Sequence, residues 1–118
     1  MFEELNKKKN FQKKLDGLAN EYENKKLAIY GAGTFADYIF QNFNLSRHNI
    51  VCVADKKFKT ENGEIYFGKK AVSPYFLKDA EIDAVLCLSV NTEPIIDYLE
   101  DEILIDCPNS DVEILKLV

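Results

Sequence analysis

Residues Lys26 to Ala36 read Lys-Leu-Ala-Ile-Tyr-Gly-Ala-Gly-Thr-Phe-Ala: a short apolar run, then Gly31-Ala-Gly33-x-x-Ala36, then the start of a helical pattern. A G-x-G-x-x-A string has physical meaning in this strand–turn–helix context, because each small residue answers a separate steric demand. Gly31 permits a tight turn, Gly33 lets the backbone approach a pyrophosphate, and Ala36 can seat the helix against the strand. The N–H groups at the start of that helix have no partner within it and suit an anion. The spacing therefore predicts an α/β domain with a phosphate-bearing ligand at this turn. Gly31, Ala32, Gly33, Thr34 and Phe35 are the residues expected nearest to it.

Downstream of the turn, Ala36, Ile39, Phe40 and Phe43 fall on one helical face, with Asn44 as the expected C-cap. Ile50-Val-Cys-Val-Ala54 is apolar without alternation, the pattern of a parallel strand covered on both faces. Ala84-Val-Leu-Cys-Leu88 is another of the same kind, Thr92 can cap a helix running through Glu100, and Ile103-Leu-Ile105 reads as a further strand. Between Asp55 and Asp83 the pattern is irregular. A short strand or ribbon is expected around Ile65–Val72, and Ser73-Pro74 opens a brief helix with Ser as N-cap and Pro at its first position. Strands alternating with helices imply a parallel sheet with right-handed crossovers. The expected fold is a three-layer, Rossmann-like α/β domain over residues 25–118, with about five strands and a reduced second half. At 118 residues the chain has about half the length of a full dinucleotide-binding domain, so either that half is reduced or the chain is a piece of something larger.

Asp55 ends the second strand, 24 positions after Gly31, where an acid can accept hydrogen bonds from a ribose diol. Its alternative role is that of an ordinary turn residue. Asp55 suits the unphosphorylated ribose of NAD, whereas Lys56 and Lys57 could accommodate the 2′-phosphate of NADP, so both cofactors stay open. In an open parallel sheet, ligands lie beyond the carboxyl ends of the strands where strand order reverses. Ser89 and Asn91 follow the strand Ala84–Leu88 and are thus candidate ribose or phosphate contacts, or, for Asn91, a helix cap.

Residues 1–24 form a separate segment. Phe11, Leu15, Leu18 and Tyr22 recur at 4-3-4 spacing, with Phe2 and Leu5 extending the stripe, and lysines occupy the other face. One amphipathic helix is expected there. Its stripe exceeds what a half-size core would cover, which predicts a homodimer joined through it.

Charge and cysteine usage narrow the setting. The net charge is −5, with eleven acids and no base from Asp79 to Glu113. That balance argues against nucleic-acid binding, which needs basic patches. The three cysteines show no metal-ligand spacing, and an odd number suits a reducing compartment; Cys52, Cys87 and Cys107 read as small apolar residues. No stretch approaches a membrane span and no signal-peptide pattern opens the chain, so the expectation is a cytoplasmic protein without a metal or a membrane partner.

Catalytic groups are not evident. Tyr66-x-x-x-Lys70 has the spacing of a dehydrogenase pair, but in a segment read as extended, where a separation of four does not align side chains. His48 precedes the second strand, at the amino end of the sheet, and reads as a surface residue.

With these residues laid out, the chain resembles the small Rossmann-like domains of bacterial surface-polysaccharide pathways. These include the N-terminal nucleotide-sugar-binding domain of PglD-type acetyltransferases and the domains attached to dehydratases and epimerases. The matching text is Ile29-Tyr-Gly-Ala-Gly-Thr-Phe-Ala36, Asp55, Gly63-x-x-x-x-Gly68-x-x-x-Val72, Pro74 with Leu77, and Asp83-Ala-Val-Leu86. The resemblance implies a binding domain for a nucleotide sugar or NAD(P), non-catalytic alone. Where those acetyltransferases commonly place a histidine after the glycines, this chain has Phe35, so no base is inherited there. Two other classes remain open: an interaction domain that has lost its ligand, and an oxidoreductase subunit using Tyr66 and Lys70.

Overall fold

The computed structural model describes residues 1–105 and 111–118. Five strands run parallel: β1 (Leu27–Tyr30), β2 (Ile50–Ala54), β4 (Lys69–Val72), β5 (Ala84–Cys87) and β6 (Glu113–Lys116). The two-residue strand β3 (Ile65–Tyr66) pairs antiparallel with β4, giving the order β3-β4-β2-β1-β5-β6. The chain leaves β1 toward β2 and β4, then returns to the other side of β1 for β5 and β6. Strand order thus reverses at β1, the arrangement that opens a crevice at the carboxyl ends of β1 and β5. The expected α/β architecture is present, with a sixth, antiparallel strand at its edge.

Every residue of β1 and β5 is buried, as both faces of the sheet are covered. On one face Ile29, Val53 and Leu86 pack against Phe35 and Ile39 of α3 (Thr34–Asn42) and against Phe11 and Leu15 of α2 (Phe11–Glu21). On the other, Ala28, Tyr30, Cys52 and Cys87 meet Leu77 from a 3-10 turn (Pro74–Lys78), and Leu99 and Ile103 from the last helical segment. That segment starts as α4 (Glu93–Tyr98) and continues as a π-helical turn over Leu99–Ile103, closed by the bond from Leu104 N–H to the Leu99 carbonyl at 2.7 Å. The expected strand Ile103–Ile105 does not form: Ile103 ends the π-helical turn, and Leu104 and Ile105 follow as a bend and a turn. Two fully buried side chains, Leu99 and Ile103, fix the extra turn against the sheet. The strand beside β5 is β6 instead. Cys107 lies outside the described residues; Cys52 and Cys87 are buried, unpaired thiols.

The N-terminal segment departs from expectation in two ways. It is two helices, α1 (Glu3–Lys9) and α2, divided at Asn10, whose left-handed backbone (φ +50) ends one helix while its side chain accepts from the Lys13 N–H to start the other. Part of the apolar stripe is also buried within the chain. Phe11 and Leu15 are fully buried in their own chain's core, and Tyr22 donates to Glu113 of β6 at 2.6 Å. Within one chain α2 thus packs Phe11 and Leu15 on the same face of the sheet as α3, while Leu5, Leu18 and Tyr22 of the stripe stay half-buried.

His48 is likewise buried rather than superficial. Its Nε2 lies 2.9 Å from the Leu15 carbonyl, pinning α2 to the loop before β2. Ser73 and Thr92 start their helical turns without a capping side-chain bond, and α3 ends two residues before the expected Asn44 cap. The ribbon over Ile65–Val72 forms as expected, reversing through Phe67 (φ +47) and Gly68 (φ +79), the left-handed pair that a two-residue hairpin needs. Among the described residues no helix is long and apolar enough to cross a membrane.

Candidate functional site

The crevice at the switch point has a volume of about 300 Å³. Its floor is the turn from β1 into α3, and its walls come from the ends of β2 and β5. Of the residues expected from sequence, Gly31, Ala32, Gly33, Thr34, Phe35, Asp55 and Ser89 line it.

The two glycines are required for different reasons. Gly31 has φ +118, and a Cβ there would stand 2.7 Å from the Leu88 carbonyl oxygen at the end of β5. Gly31 N–H donates to the Ala54 carbonyl at 2.9 Å, so the turn is clamped between β2 and β5. The chain itself explains Gly31. Gly33 has an ordinary negative φ of −99 and nothing within 4 Å of where its Cβ would be. Nothing in the protein excludes a side chain at Gly33, an exposed residue at the lining of the crevice. Gly33 is also the N-cap of α3 and offers no side chain to bond the first-turn N–H groups, which leaves donors at the mouth of the helix.

Asp55 acts on this loop directly. One carboxylate oxygen accepts from the Ala32 N–H at 2.8 Å and the other from the Lys57 N–H at 3.0 Å. Lys57 Nζ in turn donates to the Ala32 carbonyl, so the Ala32 peptide is held at both ends. A carboxylate has about four lone-pair sites, so Asp55 keeps acceptor capacity toward the crevice. Its function as a loop clamp was not legible from spacing alone.

Two expected residues are not brought into the crevice. Lys56 does not line the crevice; its Nζ sits 4.1 Å from the centre of the Tyr98 ring. Asn91 does not line the crevice; its N–H donates to Ser89 Oγ at 3.3 Å, and its carbonyl accepts from the same hydroxyl at 3.2 Å. Ser89 is thus held at the rim by the backbone that follows it.

Sequence reading missed Phe2, Leu88, Val90 and Ile95, which with Tyr30 supply most of the apolar wall. Tyr30 closes the crevice from β1, and burial pushes its hydroxyl up to about 12. Phe2 arrives from the start of α1, its ring edge-on to Phe35 at 5.1 Å. Tyr66 and Lys70 do not form a pair. They sit on adjoining strands of the ribbon with side chains on opposite faces, Tyr66 donating to Asp37 and Lys70 resting on Phe76 at 4.4 Å. Burial and the bond to Asp37 both raise the Tyr66 hydroxyl well above its ordinary value.

Compared with known protein families, residues 23–106 match the family described as C2185-like, N-terminal. The chain belongs to that family. The match takes in the glycine turn, Asp55 and the β5 rim, and leaves α1 and α2 outside. No curated protein and no solved structure matches the chain.

Proposed function

We propose that the crevice binds a nucleotide, either NAD(P) or a nucleotide sugar, with its phosphates over Gly33 and the first turn of α3. The observation that carries this reading is the contrast between the glycines. Gly31 answers a demand made by Leu88, whereas Gly33 answers none made by the protein and keeps clear the place where a phosphate would meet the helix N-terminus. The uncapped start of α3, Asp55 at the rim and the switch-point position support the same ligand class. The divergence of Tyr66 and Lys70 weighs against an oxidoreductase, and the domain is read as a binding module, with chemistry supplied elsewhere. The resemblance to polysaccharide-pathway domains suggests a role in sugar biosynthesis, and the two buried unpaired thiols suit a cytoplasmic setting.

One observation favours a second reading, an interaction domain that has given up its ligand. Asp55 already holds the Ala32 N–H, and Phe2 and Tyr30 occupy part of the wall. Isothermal titration with NAD, NADP, UDP-sugars and coenzyme A separates the two. Nucleotide binding predicts heat from at least one of them, with a Kd below about 1 mM, a free energy near −4 kcal/mol. Silence across the panel overturns it in favour of the interaction domain.

A further inference from the structure

A shallow, open depression of about 300 Å³ lies over α3, lined in part by Met1, Asp37, Tyr38 and Gln41. It shares two residues with the glycine-turn crevice, Phe2 and Thr34. Phe2 stands where the two meet, its ring 5.1 Å from Phe35 on one side and 5.4 Å from Tyr38 on the other. We propose that Phe2 is the specificity-determining residue of the site, a partition that sets the length of ligand the crevice accepts.

The argument is one of volume and attachment. Alone, the crevice is at the small end of ligand pockets, which span about 300–1,000 Å³. It encloses about one nucleotide unit, so a dinucleotide or nucleotide sugar binds the wild type with its second unit left outside the crevice, and more weakly than one wholly enclosed. The depression lies next to the crevice at Phe2 and Thr34, where a second ligand unit would rest once the Phe2 ring moves aside. The ring is carried on an element suited to moving. No residue of α1 is fully buried, whereas Phe11 and Leu15 anchor α2 in the core immediately after Asn10. The left-handed Asn10 is the joint between them. The partition is therefore held by a helix that can shift without disturbing the sheet.

The proposal rests on the nucleotide reading for its choice of ligand but not for its geometry, so two probe pairs are used. AMP and NAD share an adenylate and differ in length; the fluorescent dyes ANS and bis-ANS differ in length and carry no nucleotide. Affinities are measured for the wild type, Phe2→Ala and Phe2→Trp. Trp keeps a large anchor for α1 and guards against a simple loss of structure in the Ala variant. The expected result is that Phe2→Ala shifts the long-to-short affinity ratio at least tenfold toward the long probe. Phe2→Trp shifts the ratio the other way. If both nucleotides are silent and the dye ratio still shifts, the nucleotide reading fails and the partition stands. A ratio unchanged across the three proteins, equal weakening of both probes in Phe2→Ala, or a crevice that takes neither pair overturns the partition.

Discussion

Gly31 and Gly33 are chemically identical and two positions apart, yet the structure makes opposite demands on them. At Gly31 a methyl group would have to adopt φ +118 and displace the Leu88 carbonyl from 2.7 Å. Gly31→Ala is therefore expected to destabilise the fold by at least about 2 kcal/mol, the sum of left-handed strain and a backbone clash. Gly33→Ala removes only an N-cap preference, about 1 kcal/mol or less, while placing a methyl at the lining of the crevice. Urea unfolding of the two variants checks the difference: a large fall in midpoint for Gly31→Ala and a small one for Gly33→Ala, with nucleotide affinity lost at least tenfold in the latter. Equal falls would mean that Gly33 too is structural. The string G-x-G made this turn visible in the sequence, but not the division of labour, because the Leu88 carbonyl that decides it lies 57 residues away in the chain. The position of Asp55 was legible for the same reason as the turn, namely spacing after a strand. Its bond to the Ala32 N–H was not, since nothing in a linear pattern says how far a loop folds back.

Among the elements, the strands β1, β2 and β5 were the most legible, because burial on both faces leaves unbroken apolar runs. β6 was hidden: Glu113-Ile-Leu-Lys116 is short, with a charged residue at each end, and only its pairing with β5 makes it a strand. The N-terminal stripe was legible as helical but not as broken, since Asn10 fits a helix pattern as readily as the left-handed joint it forms. Its packing has a testable consequence. Leu15 is fully buried between α2 and the sheet, and its carbonyl holds His48. Leu15→Ala is expected to lower stability by about 2–5 kcal/mol, as for other core leucines. If the stripe instead faced solvent or a second copy, denaturation of the dilute protein would show a change within about 0.5 kcal/mol.

For the molecule as a whole, the buried ionisable groups set a one-sided pH response. Burial raises Cys52 from its ordinary 9.0 to about 11, and Cys87 to about 12. Tyr30 rises from 10.0 to about 12 by burial, and Tyr22 rises by the same amount chiefly through its bond to Glu113. In each case the folded protein holds the proton more tightly than the unfolded chain. Their contribution to stability is complete below about pH 9 and is lost as pH climbs through 11 to 12, where the unfolded chain ionises first. Urea midpoints should be level from pH 7 to 8.5 and fall steadily above 9, less steeply in Cys87→Ala; a flat profile to pH 11 would contradict this burial. The central claim concerns the crevice, and amide-resolved NMR tests it most directly. Titration of the ¹⁵N-labelled protein with NAD and with a UDP-sugar should move the amide signals of Gly33, Thr34 and Phe35 first, with Ala32 and Lys57 following as Asp55 readjusts. Unchanged spectra at millimolar nucleotide, or shifts confined to residues away from the β1–α3 turn, would contradict it.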